Sequence, residues 1–238
     1  MKALGILVSL LVLLFVVPAF SVCASEESMK SAYEELEMDD DEDGAQEGME
    51  YAFEVMIMNV HDSQPLSPGV FVVHTADLSL NFEGEIAPPA LESLAEYGSN
   101  ADFADYVEGL DGAIKVYTVD APILPGMNAS MPMDFQTSKM PLYLSGVMMD
   151  VGTNDGYALL DAVELVDEDG MELSSTTDAE NYDAGTEENQ LLGSGFEGGQ
   201  PDPSRGEENI ENGVPTEEMV MVHPELSETV MEVVVTVA

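Results

Sequence analysis

The stretch that decides the fold class reads Tyr51-Ala52-Phe53-Glu54-Val55-Met56-Ile57-Met58-Asn59-Val60. Successive side chains of an extended chain point to opposite sides, and here both sides are largely apolar. A strand that is apolar on both sides is typical of a sheet packed inside a sandwich or covered on both faces. We therefore predict a strand over residues 51–60 and a mainly β domain that begins with it.

Further short strands follow, with turn-rich segments between them. The same patterns predict strands over residues 70–75, 113–119, 129–136, 141–148, 157–166 and 228–237. Two helical patterns, residues 90–97 and 101–110, interrupt the strands and end near glycines. Residues 188–218 are rich in Gly, Glu and Asn and predict a long irregular loop. The fold class that these elements favour is mainly β, an antiparallel β-sandwich with short helical insertions.

Residues 1–24 have the pattern of a secretory signal peptide. Lys2 precedes an apolar run that is shorter than a transmembrane span requires, and Ala24 fits the small-residue rule for cleavage. Cys23 is the chain's single cysteine, and we favour cleavage over lipid attachment because Val22 is a poor neighbour for a lipidated cysteine. We therefore expect an exported chain, secreted or at the cell surface, that uses no disulfide for stability.

The charge balance indicates a saline exterior. The chain has 48 Asp+Glu against 5 Lys+Arg, for a net charge of −43, while 45% hydrophobic residues are enough to form a core. Such a surface repels itself at low salt, and salt at about 1 M screens that repulsion within about 3 Å. The balance therefore favours a salt-adapted, halophilic prokaryote, and it argues against nucleic acid and anionic membranes as partners. The alternative reason for acidity is simple solubility, which needs far less charge.

Residues 25–49 form an acidic segment, and the acids from Asp39 to Glu50 match the spacing of a metal-binding loop. The spacing of an EF-hand calcium loop is matched by Asp39, Asp41, Asp43, Gly44 and Glu50. Gln46 stands where an apolar residue usually pairs two such loops, and Gly48 is a poor start for the exit helix. We interpret residues 25–49 as an acidic linker, disordered or with one short helix, and keep the acids of the loop as weaker metal candidates.

A second acidic loop has the sequence Tyr182-Asp183-Ala184-Gly185-Thr186-Glu187-Glu188-Asn189. Gly185 permits a tight backbone turn, and Asp183 and Glu187 place carboxylates on either side of it. Carboxylates held close together repel each other unless a positive charge lies between them. Calcium takes about six to eight oxygen ligands in flexible geometry, so the loop predicts a calcium site. A solvated acidic turn is the alternative.

The order of several landmarks resembles the spondin N-terminal domain family in its prokaryotic, secreted form. The resemblance covers residues 50–238. Its landmarks, besides the first strand and the Asp183 loop, are Gln64-Pro65-Leu66-Ser67-Pro68, Val72-Val73-His74-Thr75, Leu124-Pro125-Gly126, Thr153-Asn154-Asp155 and Val222-His223-Pro224.

The resemblance implies a C2-like antiparallel β-sandwich that binds calcium at one end. It implies an extracellular module of the adhesion and matrix type, with cell-surface or matrix proteins or glycans as partners. Carried over residue by residue, the metal ligands of the family correspond to Asp155, Asp183 and Glu187. The function that we expect is a secreted calcium-binding adhesion or matrix module.

Enzymatic signatures are missing from the sequence. The histidines His61, His74 and His223 are not at metal-ligand spacing, and we interpret His74 and His223 as structural residues at strand ends. The chain has no Trp for sugar binding, and no nucleophile elbow or phosphate-binding glycine loop. We predict that the chain is not an enzyme. The alternatives are a metal-free cell-envelope structural protein and, third, a hydrolase; use of the sequon Asn128-Ala129-Ser130 is left open.

Overall fold

The computed structural model describes residues 48–188 and 215–238, which belong to one compact unit, residues 46–238. The predicted signal peptide, most of the predicted acidic linker and most of the predicted long loop lie outside the described residues, as do Asp39, Asp41 and Asp43. The elements are β1 (Met49–Asn59), β2 (Leu66–His74), α1 (Pro89–Tyr97), α2 (Asn100–Glu108), β3 (Ala113–Val119), β4 (Asn128–Thr137), β5 (Leu142–Asp150), β6 (Gly156–Val166), β7 (Ser175–Asp178), β8 (Glu180–Asp183), β9 (Met221–Val222) and β10 (Met231–Val237).

The strands form two antiparallel sheets. One has the order β4-β1-β10-β7 and the other the order β3-β2-β5-β6-β8-β9. β1 is central in the smaller sheet and pairs with β4 and β10 along most of its length. The predicted mainly β sandwich with short helical insertions is confirmed. The C2-like description comes from the resemblance and stays a prediction.

The first core lies between the two sheets. Alternate residues of each strand point into it, as the two-residue period of a strand requires. From β1 these are Tyr51, Phe53, Val55 and Ile57, and the other sheet contributes Phe71, Val73, Leu144 and Met148. The Phe53 and Phe135 rings stack at 6.2 Å between centroids, so aromatic packing also joins β1 to β4.

A second core lies between the six-stranded sheet and the two helices. α1 begins with Pro89, whose missing N–H is no loss in the first turn, and ends at Gly98 in the left-handed conformation with φ 66°. Leu91 and Leu94 of α1 and Phe103 of α2 are buried against β2 and β5. Neither described helix is long and apolar enough to cross a membrane.

Three short strands were not predicted. β7 and β8 are made mostly of polar residues, so they lack the apolar alternation that marks a strand. The chain passes from one sheet to the other between them, with Ala179 as the connecting residue. The prediction that Tyr182 and Asp183 lie in a loop was wrong, because they close β8 and pair with β9. β1 also starts at Met49, one residue inside the segment interpreted as linker.

Four connections meet at one end of the sandwich, which we call the loop end: residues 60–65, 151–155, 184–188 and 223–230. Backbone hydrogen bonds join them: Val60 N–H to the Val230 carbonyl at 3.0 Å, Val151 N–H to that of Pro65 at 3.0 Å, and Ala184 N–H to that of Asp155 at 3.1 Å. The loop end therefore collects residues that are remote in sequence.

Gly146 tests how tightly the first core is packed. A Cβ at this position in β5 would lie 2.1 Å from Phe71 Cδ1, and the ring is fully buried. We expect Gly146→Ala to lower the free energy of unfolding by about 1–3 kcal/mol, because overpacking forces the ring and strand to move. Denaturant unfolding at constant salt measures this change in the free energy of unfolding.

Gly109→Ala is the matched control. Its added Cβ would lie at an ordinary 3.4 Å from the Tyr106 carbonyl oxygen, with φ −83° at the end of α2. A change below about 0.5 kcal/mol is expected for the control, as for most surface substitutions. An equally small change for Gly146→Ala would contradict the packing described for Phe71.

Candidate functional site

Asp155 organises the loop end. It is the last residue before β6, and its Oδ2 accepts hydrogen bonds from Thr186 N–H at 2.7 Å, Thr186 Oγ1–H at 3.2 Å and Glu187 N–H at 3.0 Å. Its carbonyl oxygen also accepts from Ala184 N–H. Two of the stretches that the sequence singled out, around Asp155 and around Asp183, therefore meet through this one side chain.

Asp183 lies beside it because β8 pairs with β6. The register places Asp183 opposite Gly156, and Asp183 Oδ1 accepts a hydrogen bond from Gly185 N–H at 2.8 Å. Gly185 has φ 70°, and a Cβ there would lie 2.6 Å from the Glu218 carbonyl oxygen. Glu218 N–H in turn donates to the Gly185 carbonyl. Only glycine suits this turn, since it has both the permitted backbone conformation and the space.

Glu187 joins the site through its backbone. The Glu187 N–H donates to Asp155 Oδ2, and Glu187 forms an isolated β-bridge with Pro215. The Glu187 side chain is buried. Across residues 48–188 and 215–238, no three His, Cys, Asp or Glu side chains are grouped so that they could hold a metal ion. The structure thus brings Asp155, Asp183 and Glu187 to the same end of the sandwich, and their role as ligands stays a prediction.

Burial decides the ionisation of Asp155. Burial and the neighbouring Asp183 carboxylate raise the pKa of Asp155 to about 6, while the hydrogen bonds from Glu187 and Thr186 oppose the rise. Its second oxygen, Oδ1, is buried and has no hydrogen-bond partner within the described residues. Above this pKa the side chain is a carboxylate whose Oδ2 accepts three hydrogen bonds and whose Oδ1 accepts none from the described residues.

His223 borders the same turn. Its Nδ1 accepts hydrogen bonds from Glu225 N–H at 3.2 Å and Leu226 N–H at 3.0 Å, so the neutral ring carries its proton on Nε2. A Cβ on Gly156 would lie 3.0 Å from His223 Cδ2, which places the ring against the start of β6. Burial lowers the pKa of His223, and the Asp183 carboxylate partly opposes this.

Asp150 is a buried acid that the sequence analysis did not single out. It is 0% exposed at the end of β5, opposite Leu66 of β2, and neither carboxyl oxygen has a partner within the described residues. Burial raises the pKa of Asp150 well above the usual value of an Asp. Nearby in the loops, Gln64 Oε1 accepts from Gly152 N–H while its Nε2 has no described partner. The sequence does not distinguish Asp150 from an ordinary polar residue at the end of an apolar strand.

A Ser–His pair was also missed. His74 Nδ1–H donates to the Thr75 carbonyl at 2.8 Å, and Ser145 Oγ–H donates to His74 Nε2 at 2.9 Å. Ser145 Oγ also accepts from Ala162 N–H at 2.9 Å, where the β5–β6 register shifts and Ala162 has φ 46°. Both side chains are fully buried. The pair closes a β-bulge, and the hydroxyl is out of reach of a substrate.

The EF-hand-like acids are placed only at their last member. Glu50 lies in β1 opposite Gln136 and is exposed, so the chain continues as a strand where an EF-hand would continue as a helix. The other three lie outside the described residues, and metal binding there stays a prediction.

No family model and no curated protein sequence matches the chain. The resemblance to the spondin N-terminal domain family therefore rests on the residues quoted for it and stays a prediction.

Asp150 makes folding depend on pH. The unfolded carboxyl loses its proton near pH 3.8 while the folded one keeps it, so the contribution of Asp150 lowers the free energy of unfolding as pH rises above about 4. Each unit of difference between the folded and unfolded pKa corresponds to about 1.4 kcal/mol. We expect Asp150→Asn to match the wild type near pH 3.5 and to be more stable at pH 7, measured by denaturant unfolding at fixed salt and without calcium.

The control is Asp105→Asn, which removes an exposed carboxyl on α2. Its unfolding free energy should follow that of the wild type across the same pH range. A loss of stability in Asp150→Asn at pH 7 would contradict the prediction, because it would mean that the folded protein stabilises the ionised form of Asp150.

Proposed function

We propose that this chain is a secreted β-sandwich binding module that takes up calcium at the loop end. One observation carries the proposal: Asp155 is buried beside Asp183, and one of its oxygens has no hydrogen-bond partner within the described residues. An ionised carboxylate in such a place is unfavourable unless a proton or a cation satisfies it. In a chain with 48 acids and 5 Lys+Arg, a cation from solution is the natural source.

Asp155, Asp183 and Glu187 are the residues that would hold the ion. Calcium accepts carboxylate and carbonyl oxygens in variable number and geometry, which suits acids carried on loops. The bare Asp155 Oδ1 supports the fit, while the absence of a ready group of three acids in the described residues means that binding would have to adjust the loop. When bound, the ion would supply positive charge between acids and link residues 151–155 to residues 184–188.

The role that we propose for the module is adhesion or matrix binding outside a salt-adapted cell. The signal-like residues 1–24 and the net charge of −43 support export into a saline exterior. Neutral or cationic surfaces, such as glycans or matrix proteins, are the partners that this charge permits. We propose no enzymatic activity; the buried Ser145 hydroxyl, for example, is engaged in a β-bulge.

Calcium titration tests the site. We expect the mature protein at pH 7.5 to bind one calcium ion by calorimetry and to unfold at a higher temperature in calcium than in chelator. A ligand that binds the folded state alone, at 100 times its dissociation constant, adds about 2.7 kcal/mol to stability. Asp155→Asn and Asp183→Asn should each weaken the binding at least tenfold, because each removes a charge but keeps an acceptor oxygen.

Asp105→Asn is the matched control, since it removes the same charge from an exposed position on α2. It should bind calcium as the wild type does. A titration without saturable heat, or equal binding in the wild type and Asp155→Asn, would rule out this site.

A metal-free cell-envelope structural protein is the second candidate. It is favoured by the three donors on Asp155 Oδ2, which close the loop without an ion. For such a protein the acidity serves salt adaptation alone. Sodium chloride would then raise the unfolding temperature as much as calcium chloride does at the same ionic strength, whereas a calcium module responds to micromolar or millimolar calcium at constant sodium chloride.

A further inference from the structure

The sequon Asn128-Ala129-Ser130 lies where a modifying enzyme can reach it. Asn128 is the first residue of β4, directly after a turn in which Met127 N–H donates to the Leu124 carbonyl at 2.9 Å. Asn128 and Ser130 are exposed, while Ala129 between them is partly buried. The amide and the hydroxyl therefore share the solvent side of the strand, as alternation requires. It is the single Asn-X-Ser/Thr sequence of the chain.

The described helices do not cover the surface next to Asn128. β4 is an edge strand, paired with β1 alone in its sheet, and the two described helices pack on the other sheet. In register with Asn128 and Ser130, on the outer face of β1, are Met58 and Met56, both half-buried. An edge strand beside a partly apolar open face is a place where unwanted strand pairing and association begin.

We propose that Asn128 is an N-linked glycosylation site of the exported protein. The donor would be a lipid-linked sugar phosphate: the Asn128 Nδ2 forms a bond to the sugar C1, the bond from C1 to the phosphate oxygen breaks, and the amide loses a proton as the lipid phosphate leaves. Ser130 supplies the hydroxyl that the Asn-X-Ser/Thr acceptor requires. The proposal rests on the proposed export of the chain and not on calcium binding.

The position of the sugar gives it a physical role. A chain attached at the start of β4 would extend over the outer face of β1 and past the edge of β4 that faces away from β1. It would add a bulky, hydrated and uncharged group beside Met56 and Met58. At high salt, where charge repulsion between copies is screened, such a group keeps the edge from pairing.

Peptide mass spectrometry of the protein from its own producing cells tests the site. Trypsin cuts after Lys115 and Lys139, so Asn128 lies in the peptide of residues 116–139. We expect this peptide to carry sugar mass that fragmentation locates on Asn128. The same digest reports on export, because cleavage after Ala24 creates a peptide of residues 25–30.

Three variants produced in the same cells serve as controls. Asn128→Gln and Ser130→Ala should lose the modification completely, and Ser130→Thr should keep it because the hydroxyl is restored. An unmodified 116–139 peptide in a chain that begins at Ser25 would overturn the proposal while leaving export intact. A chain that keeps residues 1–24 would overturn export and glycosylation together, and calorimetry of the folded domain would still decide on calcium.

Discussion

Burial of β2 and β5 on both faces is the constraint on which the rest of the structure depends. Val70 and Val72 point to the helices, while Phe71 and Val73 point to the smaller sheet. Each such side chain contributes about 1.5–3 kcal/mol when it is fully buried, and β-branched residues suit the pleated backbone. The helices exist to cover one of these faces. Without them, an apolar sheet face would be exposed to solvent.

A shortage of positive side chains shapes how the interior treats its acids. A buried carboxyl group needs a cation, a proton or hydrogen-bond donors. Asp155 takes donors, from two backbone N–H groups and one hydroxyl of the 184–188 loop. Asp150 has no described partner, and the raised pKa means that a proton satisfies it. Lys115 and Lys139, the lysines of the described residues, are both exposed and serve neither acid. Hydrogen-bond donors and a bound proton therefore satisfy the buried acids here, as lysine and arginine side chains do in other proteins.

The sequence predicted those elements whose side chains repeat with a clear period. β1, the two helices and β3 were all found, and the bounds of β3, Ala113–Val119, agree with the prediction at both ends. β7 and β8 were missed because sheet pairing, rather than burial of alternate side chains, holds their polar residues. Of the candidate site, the proximity of Asp155 and Asp183 followed from the order of the landmarks. The hydrogen bonds that give Asp155 its role come mostly from the backbone, and side-chain patterns carry no information about backbone donors.

Buried polar atoms without described partners occur both at the loop end and in the strands. Gln64, Asp155 and His223 leave such atoms at the loop end, and Asp150, Tyr157, Ser175 and Asn181 leave them in the strands. Leaving a buried polar group unsatisfied costs about 1–3 kcal/mol, so a sequence selected for stability alone would remove it. Between the sheets, both sheets contribute buried apolar side chains to one continuous cluster. Real proteins break the rules of polar satisfaction mainly where a ligand, an ion or water completes the site. The body of the sandwich therefore stabilises a loop end in which Gln64, Asp155 and His223 each keep a buried polar atom without a described partner.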